Sequence, residues 1–427
     1  MGYVDLGYVP KESDLICLFR IEPEGGLSVE TVADRIAAES SVGTWTEIST
    51  MSKEIQARGA KVFGVKGKYV RIAYPLELFE FDNMSQILSS IAGNIFGIRD
   101  ARNLRLEDVK WPPEVVKAFK GPAYGIDGIR KLLRVKDRPL VGSIVKPKLG
   151  LNEEEHAKVA YNAWTGGVDI VKDDENLSSQ SFNRFEKRIV ETLRARDRAV
   201  RETGERKMYM PNVTAETREM LRRAKFVKEH GGEYAMVDIL TVGWAALETL
   251  REANEDMRLV LHAHRAGHAA FTRSKRHGIA MLPIAEISRL IGVDQLHIGA
   301  LIGKMEASEE EALAINEKIK RKTIKGGARV LPQNWHDVKP VFAVCSGGLH
   351  PALVPYLVEA LGNDIIVQFG GGIHGHPQGT VAGARAARQA IEAVMQGTDL
   401  KDYAKTHREL KLALDKWKGL RLGAATA

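Results

Sequence analysis

Cysteine is scarce: Cys17 and Cys345 are the only two in 427 residues, too few to make a disulfide framework, so a reducing compartment is the expectation. Long apolar runs are missing too. No segment approaches the roughly 18 uninterrupted apolar residues of a membrane helix, and the first residues, MGYVDLGYVPKESD, lack a basic stretch followed by an apolar one. A cytoplasmic protein with no membrane partner is expected. The 62 basic and 55 acidic residues leave a net charge of +7, yet no long basic run or aromatic-interleaved patch concentrates it. That argues against a nucleic-acid partner and suits small anionic substrates. Low-complexity tracts and short internal repeats are also lacking.

The composition itself, 44% hydrophobic and 27% charged, is ordinary for a globular chain, and the length suggests two or three domains. From about residue 140, short apolar strands alternate with amphipathic helices. Strands are expected at 139–146, 167–172, 207–213, 234–240, 258–264, 294–299, 341–346 and 364–370, with helices such as 153–164, 216–230 and 380–396 between them. Eight such units over about 250 residues fit a (β/α)8 barrel better than an open doubly wound sheet. Residues 1–118 have a different rhythm. DLICLFRIEP, VETVADRIAAES, the pair in KVFGVKGKYVRIAYP, MSQILSSIAGNIF and NLRLED suggest a small α+β, ferredoxin-like domain of β-α-β-β-α-β type. TWTEI is expected to add a strand after the first helix. KWPPEVVKAFKGP, residues 110–122, marks the boundary, with the barrel domain taken as 119–427.

In such barrels the reacting groups stand where strands run out into loops. The exits here are polar: Lys146 and Lys148 after strand one, Lys172, Asp174 and Glu175 after strand two, Asn212 after strand three, His262, His264 and Arg265 after strand five, His297 after strand six, Ser346, Gly347 and Gly348 after strand seven, and Gly370, Gly371 and Gly372 after strand eight. Any one of these is ordinarily a solvated loop residue; so many polar exits together point to a site. GGVDIVKDDEN is the sharpest stretch. Alternation along a strand puts Val168, Ile170, Lys172 and Asp174 on one face. Asp174 and Glu175 offer hard oxygens suited to Mg2+, whereas an ammonium at Lys172 would repel the ion unless reaction with CO2 turned the amine into an anionic carbamate. A surface charge run around a turn is the plainer reading.

The glycines of CSGGLH and FGGGIHGHP allow backbone N–H groups to approach a phosphate, or else serve tight turns. FGGGIHGHP is no dinucleotide fingerprint, because it closes a final strand. GALIGKMEA, residues 299–307, departs from a P-loop in glycine spacing and in having Met305 where Ser or Thr is needed; a lid carrying Lys304 between Gly299 and Gly303 fits better, against a plain connection. His262 and His264 share a strand face, as a zinc site requires. Metal hydrolases of this barrel also join H-x-H to a carbamylated lysine, but on the first and fourth strands, not the fifth and second.

Taken in order, AAESSVGTWT, SIAGNIFG, VKPKLGL, GGVDIVKDDEN, HAHRAGHAAFTR, DQLHIG, GKME, CSGGLHP and QFGGGIHGHP resemble the large subunit of ribulose-1,5-bisphosphate carboxylase/oxygenase, the archaeal form III type above all. The resemblance implies that Lys172 is carbamylated by CO2 and binds one Mg2+ with Asp174 and Glu175. The carbamate would remove the C3 proton of ribulose 1,5-bisphosphate, giving a Mg2+-stabilised enediolate. CO2 adds at C2, water at C3, and the C2–C3 bond breaks to leave two molecules of 3-phosphoglycerate, with O2 as a competing substrate. Lys146 would protonate the departing carbanion beside Lys148, Lys304 would steady the new carboxylate, and His264 would shuttle protons. Arg265 and His297 are implied at one phosphate, Gly348, Gly370, Gly371, Thr44 and Trp45 at the other, and Ser346 at the sugar. Glu39, Thr44, Trp45 and Asn94 would cap the barrel of a partner subunit, so a homodimer or a multimer of dimers is implied, serving salvage of AMP-derived ribose. Ala300, Ala307, Gly267 and Ile144 depart from common family residues, which bears on lid closure and CO2/O2 discrimination. An enolase-like relative that does not fix CO2 and a non-catalytic scaffold are the competing expectations.

Overall fold

A computed structural model describes residues 2–44, 46, 48–301 and 309–418. They form two compact units. The first comprises Met1–Gly121 together with two later segments, Gly267–Ile291 and Arg321–Val338. Its five-stranded sheet runs, in spatial order, Lys61–Lys66, Tyr69–Tyr74, Leu15–Pro23, Ala101–Lys110 and Gly278–Ile279. The central Leu15–Pro23 strand is antiparallel to both neighbours, and Leu15, Cys17, Phe19 and Ile21 are fully buried. The helix Val29–Glu39 starts where the Ser28 hydroxyl accepts from the Thr31 amide, leaving one fewer unpaired donor in the first turn.

The β-α-β-β-α-β order is present, but TWTEI is not a strand: Thr44, Thr46 and Ile48 have irregular backbone, while Trp45 and Glu47 lie outside the described residues. The sheet instead gains its extra edge from Gly278–Ile279, parallel to Ala101–Lys110. Side chains tie down the later segments. Asp108 accepts from the Leu331 amide at 2.5 Å, and Gln333 accepts from the Trp111 amide at 2.8 Å.

The second unit is an eight-stranded parallel barrel. Its strands are Leu140–Ile144, Ile170–Lys172, Met208–Met210, Tyr234–Asp238, Val260–His264, Gln295–His297, Phe342–Ser346 and Ile365–Phe369, each inside or overlapping an expected span. Successive strands pair, strand eight returns to strand one, and a parallel bridge from Asn212 to Met236 joins strands three and four. Ile170, Met210, Met236, Val260, Val344 and Ile366 pack together as its filled interior. The helix Glu153–Thr165 opens with a capping box between Asn152 and Glu155, and the helices Thr217–Glu229 and Gly379–Met395 follow where their spacing predicts. Among the described residues no helix is long and apolar enough to cross a membrane.

Candidate active site

Strand two supplies the centre of the site. Alternation sends Ile170 and Lys172 inward, and Lys172 is fully buried, its Nζ donating to the Asp173 carbonyl at 2.8 Å and to Glu175 Oε2 at 3.4 Å, with Met236 Sδ at 3.3 Å. Asp173 belongs to a different environment. Arg188 Nε, Tyr209 Oη and the Asn212 amide all donate to its carboxylate, and His156 Nε2 lies 3.1 Å away. Burial by itself would raise its pKa, but Arg188 and His156 hold it well below the usual carboxylate range. Asp173 is therefore a structural anion beneath the site.

Asp174, 2% exposed, accepts from Lys146 Nζ at 2.6 Å. Glu175 Oε2 also lies 3.5 Å from His264 Nε2, whose other ring nitrogen meets Asp238 Oδ1 at 2.6 Å. Burial pushes the Glu175 pKa up, but Lys172, then His264, outweigh it and hold it at about 2. Lys146 and Lys148 differ: the first faces Asp174, while the second reaches Asn176 Oδ1 at 3.4 Å. Asn212 anchors the strand-two loop through the Glu175 and Leu177 carbonyls.

His262 and His264 share a face as expected, yet they do not converge on one ion site. His262 Nδ1 pairs with Gln295 Oε1 at 2.8 Å and its Nε2 with His297 Nε2 at 2.9 Å. His297 Nδ1 in turn meets Ser346 Oγ at 2.7 Å. Both ring nitrogens of each imidazole are thus already engaged by protein. Burial lowers the His262 pKa to about 3, and burial together with the neighbouring His262 brings that of His297 well below the usual imidazole range. Arg265 stands close enough to depress His297 as well, and burial brings its own pKa down to about 10.

The glycine loops after strands seven and eight abut. A Cβ on Gly372 would lie 2.1 Å from the Leu349 carbonyl oxygen, so only glycine fits there. Gly348 has a positive φ of 77°, and the position of a Cβ on Gly370 is 3.3 Å from Lys146 Cε. Next to them His374 Nε2 meets the Ile144 carbonyl at 2.9 Å, and burial holds its pKa at about 4. In the first unit Glu39 and Thr44 are exposed and line a cleft of about 750 Å3 with Tyr3, Asp34 and Arg35, while Asn94 is exposed at the start of the turn Asn94–Gly97. Lys304 and Trp45 lie outside the described residues, as do Gly303 and Ala307.

Three participants escaped the sequence reading: Asp238, Gln295 and His374. Asp238 ends strand four on the parity of the interior residues Tyr234 and Met236. Gln295 precedes His297 by two residues on strand six, so alternation could have found it.

Residues 2–115 match the family model described as the ribulose bisphosphate carboxylase large chain, N-terminal domain, and residues 125–417 match its catalytic domain. The chain belongs to this family. A ribulose bisphosphate carboxylase of Methanosarcina mazei is 52% identical over 421 residues, covering 97% of this chain and 98% of its own length. That of Methanocaldococcus jannaschii is also 52% identical, over 430 residues, covering 98% and 100%. Among solved structures, a dimeric archaeal Rubisco from Hyperthermus butylicus superposes with a TM-score of 0.92 at 46% identity, covering 97% of this chain and 98% of that one. An octameric Rubisco from Pyrococcus horikoshii, crystallised with sulfate, gives 0.91 at 46% identity, with 97% and 96% covered.

Proposed function

We propose that this chain carboxylates ribulose 1,5-bisphosphate to two molecules of 3-phosphoglycerate, with oxygenation as a side reaction, and that as a form III member it serves salvage of AMP-derived ribose. The observation that carries the reading is a fully buried lysine at the barrel mouth, 3.4 Å from Glu175 and two residues from Asp174. A buried lysine beside two carboxylates at a barrel mouth is the arrangement of a functional site.

The donor set fits the metal that the family implies. Among the described residues no three His, Cys, Asp or Glu side chains are grouped to hold an ion. Mg2+ would need a further oxygen donor beside Asp174 and Glu175, and attack of the Lys172 nitrogen on CO2, with loss of a proton, supplies it as N–COO−. When bound, Mg2+ would provide Lewis-acid stabilisation of negative charge on the substrate oxygens.

The remaining roles belong to the chain itself. Lys146, partly exposed and held by Asp174, is the acid for the carbanion left by C2–C3 cleavage, with Lys148 nearby. His264, oriented by Asp238, presents Nε2 for proton transfer. Arg265, beside His297, binds one phosphate, and the amides of Gly348, Gly370 and Gly371 face the other. Ser346 meets the sugar. Glu39, Thr44, Trp45 and Asn94 serve the barrel of a second copy, making a homodimer the working unit, and Lys304 steadies the new carboxylate; Trp45 and Lys304 enter on their motifs alone.

Ribulose bisphosphate, Mg2+ and labelled bicarbonate should yield labelled 3-phosphoglycerate, and Lys172→Ala should abolish it. Proton exchange at C3 without label would identify an enolase instead.

A further inference from the structure

Strand one outruns its neighbour on the strand-eight side. The parallel ladder between them ends at the pair Ser143 and Phe369, because strand eight turns at Gly370 into the short helix Gly371–His374. The Ile144 carbonyl, one residue further, lies beyond that ladder, and His374 Nε2 meets it at 2.9 Å. On the opposite flank the Val145 amide donates to the Lys172 carbonyl at 3.1 Å. The exit of strand one is thus held from both sides, by a backbone on one and by an imidazole on the other.

The backbone fixes the direction of this bond. A carbonyl oxygen only accepts, so His374 carries its hydrogen on Nε2, with Ser143 Oγ 3.2 Å from the same nitrogen. The ring is neutral at pH 7, and its bare Nδ1 accepts from the Thr380 hydroxyl at 3.1 Å, in the first turn of the helix Gly379–Met395. The tie reaches Lys146 by two routes. Along strand one, Lys146 follows Ile144 by two residues. Through the loop, the amides of Ile373 and His374 both donate to the Gly370 carbonyl, at 3.0 and 3.2 Å, so Gly370 and the imidazole belong to one turn. Gly370 backs directly on Lys146: a Cβ there would be 3.3 Å from Lys146 Cε, while Nζ donates to Asp174 Oδ2 at 2.6 Å. The lysine is clamped between Gly370 and Asp174, and His374 holds the Gly370 side.

We propose that His374 is a positioning residue: acting through Ile144 and Gly370, it fixes Lys146 Nζ where that group protonates the carbanion left by C2–C3 cleavage. The inference rests on the reading of Lys146 as the acid for that step. The carbanion has two fates, and they expose the placement of the acid. Its electron pair takes a proton from Lys146 Nζ, giving 3-phosphoglycerate. If the proton is late, the pair forms a C=C bond to the adjacent CH2 as the C–O bond to phosphate breaks. Inorganic phosphate and enolpyruvate then leave, and the enol tautomerises to pyruvate. The share of pyruvate among the products therefore reads how well the ammonium is aimed.

Two substitutions in the full chain separate aim from mere folding. His374→Gln keeps an N–H donor as many bonds from Cα as Nε2, whereas His374→Asn puts its amide at the Nδ1 position, short of Ile144. With ribulose bisphosphate, Mg2+ and labelled bicarbonate, His374→Asn should lower kcat about tenfold and raise the ratio of labelled pyruvate to 3-phosphoglycerate about tenfold. His374→Gln should bring both to within about threefold of the unaltered chain. Trapping of labelled CO2 on Lys172 should be the same in all three. Loss of folded protein lowers the total product and leaves the ratio alone, so an unchanged ratio in His374→Asn, or equal ratios in the two variants, would overturn the proposal. Should His374→Asn not fold, Thr380→Val loosens the ring from its other side and should raise the ratio in the same direction; no rise there would count equally against it. Crystals supply a measure independent of turnover: Lys146 Cε should leave Gly370 in His374→Asn and stay against it in His374→Gln, and a lysine unmoved in both would refute the clamp. If the unaltered chain makes no 3-phosphoglycerate, the carboxylase reading fails, whereas the position of Lys146 in those crystals decides the clamp by itself.

Discussion

Asp173 and Asp174 are adjacent carboxylates with opposite duties, and the parity of the strand separates them. Asp174 pairs with the half-exposed Lys146 at the mouth; Asp173 pairs with Arg188, and both of those are 0% exposed. Removing one partner of a buried pair leaves an uncompensated charge. Asp173→Ala should therefore cost about 3–5 kcal/mol in a urea titration, while Asp174→Asn should abolish carboxylation with little change in the midpoint. Equal stability losses in the two variants would refute the division. The buried imidazoles give a pH signature. Burial holds His262 at about 3 and His374 at about 4, against 6.5 for a free imidazole. The folded state stays unprotonated where the unfolded chain takes up protons, so stability is complete above about pH 6.5 and falls as pH drops toward those values, each group adding at most about 1.4 kcal/mol per pH unit. Urea midpoints measured from pH 7.5 to 5 should show the decline, and His374→Asn should make it shallower; an unchanged slope would count against the assignment. The residue types at the strand exits were legible in the sequence, because alternation and the motif order pick them out. The separation of Asp173 from its neighbours in KDDE needed Arg188 and Tyr209 to be seen beneath.

At the scale of elements, the two glycine loops act as one piece. Gly372 lies against the Leu349 carbonyl, whereas a Cβ on Gly371 meets nothing within 4 Å. Gly372→Ala should lower Tm and raise KM for the bisphosphate by parting the loops, and Gly371→Ala should leave Tm unchanged. Matching Tm losses would show that the close approach is not what requires glycine. The barrel strands announced themselves because each is a run of apolar residues bounded by turns. TWTEI has the residues of a strand, yet its described residues Thr44, Thr46 and Ile48 lie in none, while Gly278–Ile279 from far along the chain adds an edge to the sheet. A two-residue strand carries no period to detect, so that pairing could not be read in advance.

For the whole molecule, the proposed sharing of sites between copies makes a quantitative prediction. One chain carrying Thr44→Val and Asn94→Ala and another carrying Lys172→Ala should each be inactive. Mixed at random, half of the dimers pair one of each and keep one intact site of two, so co-expression should restore about a quarter of the activity. No recovery, with mixed dimers demonstrated, would place Thr44 and Asn94 in their own chain's site.

The sequence alone determined the alternation of strands and helices, hence a closed parallel barrel, and the accumulation of lysine, carboxylate, imidazole and glycine at one of its ends. Both follow from local periodicity, which a linear chain displays. Only the tertiary structure decided which of these groups meet: His262 with Gln295 across 33 residues, His264 with Asp238 across 26, Asp173 with Tyr209 across 36. Hydrogen-bond partnership depends on distance and direction between neighbouring strands, and those exist only once the sheet has closed.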